Sequence, residues 1–255
     1  MLELKNIHKS YNVGTINETC LFENFCLNIQ DKEFVSIIGS NGSGKTSLLN
    51  IICGSIKVDG GKIIHNGMDI TDMKEHHRQR KIGRVFQNPA LGTCQGMTIL
   101  ENMSLADNKG KKFNLSLGTN KHRIDFYREQ LSHLNLGLED KMNVKVGSLS
   151  GGQRQAMALL MATMTPIEFL ILDEHTAALD PKTSELIMQI TQRIVKEKQL
   201  TTLMITHNLS YAIQYGDRLI MMHKGNAILD KKAEEKKQLK VEELYQIFSK
   251  VNAEY

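Results

Sequence analysis

Residues 39–47 read GSNGSGKTS and combine three glycines, a lysine and hydroxyls at a spacing that suits phosphate. Glycines let the backbone curl until several N–H groups face phosphate oxygens, and a helix starting there adds partial positive charge. Gly39, Ser40, Asn41, Gly42, Ser43, Gly44, Lys45, Thr46 and Ser47 are therefore candidate nucleotide-binding residues. Lys45 is placed to reach β- and γ-phosphates, and the Thr46 hydroxyl to ligate magnesium. A bare glycine turn is the alternative, but the context favours phosphate: the apolar run FVSII precedes the loop and a helical run follows it. A second set of groups lies at Phe169 to Glu174. Four apolar residues predict a buried strand, with Asp173 emerging at the carboxyl end where open α/β sheets bind ligands. Asp173 is the candidate magnesium ligand, through water, and Glu174 the candidate to polarise an attacking water.

Leu149 to Gln153 reads LSGGQ. Ser150 suits a helix N-cap, and Gly151 and Gly152 leave backbone N–H groups uncovered, so this helix start offers a second anion site. A self-sufficient nucleotide site has no use for it, which points to a site shared between two chains.

The elements that must position these groups follow from hydrophobic patterning. Strands are predicted at Leu2 to Ile7, Cys20 to Ile29, Glu33 to Ile38 and Lys62 to Asn66, with a helix from Lys45 to Cys53. From Thr98 to Val146 the pattern is helical, broken by polar stretches at 107–112 and 117–122. A helix beginning at Ser150 buries Ala156, Leu159, Leu160 and Thr163 on one face. Pro181 starts a helix to Lys198, since a first turn tolerates proline. A strand at Thr201 to Ile205 and a hairpin of Asp217 to Met222 with Ala227 to Leu229 complete the core. The tail from Asp230 is charged and reads as a solvated amphipathic helix.

Composition sets bounds. With 255 residues the chain can bury a sizeable core, and 41% hydrophobic and 24% charged residues are ordinary for a soluble domain. A net charge of +4, from 32 Lys+Arg against 28 Asp+Glu, lacks the basic stripe that nucleic-acid binding needs. No apolar run approaches the ~20 residues that span a bilayer, and the mixed N-terminus is no signal peptide, so a cytoplasmic protein is expected. Cys20, Cys26, Cys53 and Cys94 form no Cys-x-x-Cys pair and are expected as reduced, mostly buried thiols. His76 and His77, in a charged stretch, are expected to be solvated.

Taken with the first two segments, LSGGQ resembles the signature motif of ATP-binding cassette (ABC) ATPases, and the resemblance covers about residues 2 to 229. It implies an α/β P-loop NTPase fold: a RecA-like core, an antiparallel β subdomain and a small α-helical subdomain at about 98–165, followed by a charged tail at 230–255. It implies ATP and Mg2+ as ligands, and a head-to-tail homodimer in which Ser150, Gly151, Gly152 and Gln153 meet the ATP of the other subunit. By the same resemblance Tyr11 stacks on adenine. Gln87, in RVFQNP, senses magnesium and water and faces a membrane partner. Asp180, in ALD, belongs to a loop crossing the dimer interface, and His207, in ITHN, contacts the γ-phosphate. Glu174, His207 and Gln87 are the implied catalytic set; Thr46, Gln87 and Asp173 are the implied magnesium set. One departure stands out: His175 replaces the usual proline after the glutamate, which predicts a more flexible turn.

Further features, including LDEHTAALDPKT and TTLMITHN, resemble the ATPases of bacterial uptake systems that pair with an integral-membrane permease and a substrate-binding lipoprotein, some linked to amino acids such as tryptophan or tyrosine. An importer ATPase at the inner face of the cell membrane is the expectation. An exporter ATPase and a soluble iron–sulfur assembly ATPase are the alternatives. About 105 residues without sustained heptads separate the phosphate loop from the signature, unlike the coiled-coil DNA-repair relatives.

Overall fold

The computed structural model describes residues 1–111 and 118–253; parts of both expected polar stretches and the last residues of the tail lie outside the described residues. In chain order the first half contains β1 (Leu2–Tyr11), β2 (Thr19–Ile29), β3 (Phe34–Gly39), α1 (Lys45–Cys53), β4 (Gly60–His65), β5 (Met68–Asp69), α2 (Glu75–Arg78), β6 (Ile82–Val85), α3 (Ile99–Asp107) and α4 (Ile124–Ser132). The second half contains α5 (Gly151–Thr163), β7 (Phe169–Asp173), α6 (Pro181–Lys198), β8 (Thr201–Ile205), α7 (Leu209–Gln214), β9 (Arg218–His223), β10 (Asn226–Lys232), α8 (Ala233–Lys237) and α9 (Val241–Ala253). These elements form two compact units, Met1–Ile82 with Gln199–Tyr255, and Gly83–Lys198.

The first unit carries two sheets. One is antiparallel, in the order β2-β1-β4-β5. In the other, β3 lies between β8 and β9 and is parallel to both, with β10 antiparallel on β9. All six residues of β3 are buried, as expected for a parallel strand covered on both faces. Its one polar side chain, Ser36, donates to the Tyr215 carbonyl at 3.0 Å. Leu48, Leu49, Ile51 and Ile52 bury one face of α1.

The second unit pairs β6 with β7 and holds α3 to α6. Thr98 and Glu101 form a capping box at the start of α3. Ala156, Leu159, Leu160 and Thr163 of α5 are buried, as the spacing predicts. Pro181 opens α6, and the Asp180 carboxylate accepts the Thr183 N–H there at 3.0 Å.

Three expectations need correcting. Only Cys53 among the cysteines is buried; Cys20, Cys26 and Cys94 are exposed, because they sit on outward strand positions or in a loop. The tail begins as the end of β10 and continues as two helices, and α9 is not solvated all round: Leu244 is fully buried against Ala212, Leu219 and Met221, with Ile247 and Phe248 packed beside it. Leu244, Ile247 and Phe248 share one helical face, a pattern that the surrounding charge obscures in the sequence. The third correction, at His175, belongs with the site. His76 and His77 are exposed, as expected.

Candidate functional site

The first unit carries Tyr11, the phosphate loop and His207. Strand β3 delivers the chain into Gly39 and β8 delivers it into Thr206 and His207. Because Ile37 pairs with Ile205 in a parallel register, both deliveries occur at the same end of the strands. The Thr206 N–H also donates to the Ile37 carbonyl at 3.2 Å.

The loop has the conformation a phosphate cradle needs. Gly42 and Gly44 have φ of 78° and 101°, in the region open to glycine. A Cβ at Gly39 would fall 2.3 Å from the Met222 carbonyl oxygen, so no larger residue fits there. Lys45 is buried and its ammonium donates to the carbonyls of Gly39 and Ser40, both at 2.8 Å, which wraps the loop around the charge. The start of α1 has no capping side chain and no acidic residue in its first turn. Its dipole thus favours an external anion. The Ser43 hydroxyl is buried with no hydrogen-bond partner among the described residues. These features fit a polyphosphate. Tyr11 reaches the same helix, its hydroxyl 3.1 Å from the Ser47 hydroxyl. Thr46 is exposed at the loop's edge, and His207 is exposed beyond β8.

The second unit carries Gln87, the signature segment, Asp173, Glu174 and Asp180. Strand β7 buries Phe169 to Leu172 completely and leaves Asp173 slightly exposed. Arg84 on β6 donates from Nη2 to Asp173 Oδ2 at 2.7 Å. Glu174 follows with φ 48°, a left-handed conformation uncommon for a residue with a side chain. Such strain concentrates at functional positions. His175 is then fully buried, its Nε2 3.2 Å from Thr191 Oγ1 on α6. Thr191 donates its own hydroxyl to the Ile187 carbonyl at 2.7 Å, so His175 donates from Nε2. Burial pushes the imidazole pKa down to about 4, so the ring is neutral. The flexible turn expected from the missing proline is therefore replaced by a turn anchored in the core through its side chain.

The signature segment forms a full capping box: Ser150 Oγ accepts from the Gln153 N–H, and Gln153 Oε1 accepts from the Ser150 N–H, both at 3.2 Å. Gln153 also donates to the Leu136 carbonyl at 3.2 Å. The box thus uses the Ser150 and Gln153 amides and not those of Gly151 and Gly152, which the sequence offers to an anion. Gly152 has a further reason to be glycine, since a Cβ there would lie 2.3 Å from the Thr183 methyl. Asp180 is engaged as the α6 cap, and its carboxyl pKa is held down chiefly by the Thr183 hydrogen bonds. Gln155, on the buried face of α5, donates to the Phe86 carbonyl at 3.1 Å and fixes the approach to exposed Gln87. A cleft of about 380 Å3 opens among Gln87, Pro89, Gly151, Arg154 and Leu179. Arg84 is not among the residues singled out from the sequence, because β6 is too short and too polar to register as a strand there.

A phosphate loop after a buried parallel strand, an acid pair at the end of another, and a glycine-rich helix start define a nucleotide-hydrolysing cassette. Residues 22–177 match the family described as ABC transporter, and the chain belongs to that family as an ATP-binding subunit. It is 50% identical over 248 residues to a tyrosine transport ATP-binding protein of Clostridioides difficile (strain R20291), covering 97% of this chain and 98% of that one. It is 32% identical over 250 residues to a phosphonates import ATP-binding protein of Oceanobacillus iheyensis, covering 96% and 95%. Among solved structures, a dimeric ATP-binding cassette in a post-hydrolysis state with ADP and phosphate superposes with a TM-score of 0.77 at 32% identity, covering 91% of this chain and 98% of that one. The fold is the α/β ABC ATPase fold, and the protein is an ATPase. No helix among the described residues is long and apolar enough to cross a membrane.

Proposed function

We propose that this chain energises import of an amino acid or similar small solute through a separate membrane permease, supplied by an extracytoplasmic substrate-binding lipoprotein. The observation that carries the reading is the 50% identity, end to end, with a tyrosine transport ATP-binding protein. Exposed Leu91, Met97 and Leu105 in the second unit support a surface that a permease covers, and through that partner the chain works at the inner face of the cell membrane.

ATP is the substrate. Tyr11 stacks on adenine, residues 39–47 cradle the phosphates, and two subunits pair head to tail so that Ser150 and Gly151 of each meet the γ-phosphate held by the other. Thr46, Asp173 and Gln87 offer the hard oxygen donors that suit magnesium, which supplies charge neutralisation for the phosphates. Glu174 polarises the attacking water, and His207 and Gln87 hold it in line with the scissile bond. Catalysis is mainly positioning and electrostatic stabilisation, as in other phosphoryl transfers.

Two experiments test the reading. Tagged protein purified from membranes of its own cells should bring down a multi-spanning permease and a lipoprotein; recovery of soluble assembly proteins alone would reject transport, and a permease without a lipoprotein would favour export. In purified protein, Glu174→Gln should bind ATP normally and turn over at least ~100-fold more slowly. Unchanged turnover would reject Glu174 as the base.

A further inference from the structure

We propose that Arg84 is a positioning residue that sets how tightly the Asp173 carboxylate takes up a divalent cation; the proposal rests on the reading of Asp173 as a magnesium ligand. The guanidinium donates from Nη2 to Asp173 Oδ2 at 2.7 Å, and the two side chains are only 18% and 17% exposed. An ion pair on an open surface does little, but this one is mostly shielded from water. The guanidinium also lies over the Phe86 ring, 4.7 Å from its centre. Phe86 is itself fixed by the bond from buried Gln155 to its carbonyl. Arg84 is thus held by a carboxylate and by an aromatic face.

Three consequences follow from ordinary electrostatics. The Asp173 carboxylate already accepts one hydrogen bond from a cation, at Oδ2, out of the roughly four it can take. A dication arriving at the remaining oxygen is attracted by the carboxylate and repelled by the guanidinium beside it, so the net pull is weaker than a lone aspartate would exert. Uptake therefore leans on the negative charge that the nucleotide phosphates bring. Because the same guanidinium rests on Phe86, next to Gln87, a shift of that segment alters the charge felt at Asp173.

The test is the magnesium concentration at which a fluorescent ATP analogue reaches half of its magnesium-dependent gain in affinity, read from binding alone. Arg84→Gln, which removes the charge, should lower that concentration about 3- to 10-fold while leaving affinity in EDTA unchanged. Arg84→Lys, which keeps the charge, should stay within about twofold of the parent protein. Arg84→Met, which keeps contact with Phe86 without the charge, should shift as Arg84→Gln does and serves if that variant does not fold. Asp173→Asn should raise the concentration. If Asp173→Asn raises it while the charge-removing variants leave it unchanged or raise it, the role of Arg84 is overturned alone. If Asp173→Asn leaves it unchanged, the metal-ligand reading fails and takes the proposal with it.

Discussion

Burial makes His175 a stability determinant that titrates. Its folded pKa of about 4 lies below the ordinary histidine value of 6.5. Between those values the unfolded chain binds a proton that the folded chain refuses, so stability is full above about pH 6.5 and falls as the pH drops towards 4. The loss is about 1.4 kcal/mol per pH step, or roughly 2 kcal/mol between pH 7 and pH 5. Urea unfolding at the two pH values should show it, and His175→Gln should lose that part of the slope. Equal slopes would mean that His175 ionises freely in the folded protein. At this scale much of the candidate site is legible in the sequence, since Gly39, Lys45, Asp173 and Glu174 declare their chemistry by type and spacing. The place of His175 is not legible, because a histidine two residues past a strand reads the same whether it faces water or a helix. The exposure of Cys20 and Cys26 escapes for a related reason: thiols are usually buried, and which strand face they occupy depends on register.

Elements explain glycines that motifs alone attribute to ligand binding. Gly152 lets the start of α5 approach α6 at Thr183, where a Cβ would overlap the threonine methyl. Gly152→Ala should therefore destabilise the protein by about 1–3 kcal/mol, and adding Thr183→Ser, which deletes that methyl, should restore most of it. Urea unfolding of the single and double variants decides; no recovery would place the cost elsewhere. The long, strongly patterned elements are evident from sequence: α1, α6 and β8 have the predicted bounds, because caps, proline and continuous apolar runs punctuate them. Short β5, α2 and β6 are missed, since two to four residues carry no measurable period. The burial of α9 is hidden because Glu242, Glu243 and Lys250 dominate its composition while three apolar residues do its packing.

For the whole molecule, the division of labour is informative. One unit supplies Tyr11, Lys45 and His207; the other supplies Asp173, Glu174 and the signature glycines. In the proposed pairing those glycines meet the γ-phosphate held by a second copy. Glu174→Gln protein with ATP should therefore sediment as a dimer and without ATP as a monomer, whereas adding Lys45→Ala should prevent dimerisation by weakening ATP binding about 10-fold or more. A dimer in every case would detach assembly from the nucleotide. The phosphate loop also depends on residues remote in the chain. Strand β3 is flanked by β8 and β9, and Gly39 abuts the Met222 carbonyl. The Gly225 N–H donates to the Ser43 carbonyl at 3.1 Å. During synthesis the loop leaves the ribosome well before the strands that brace it. Such long-range pairing is slow to form. A stalled nascent chain ending before β9 should not retain ATP, so nucleotide cannot template the early stages of folding and can only reward completion.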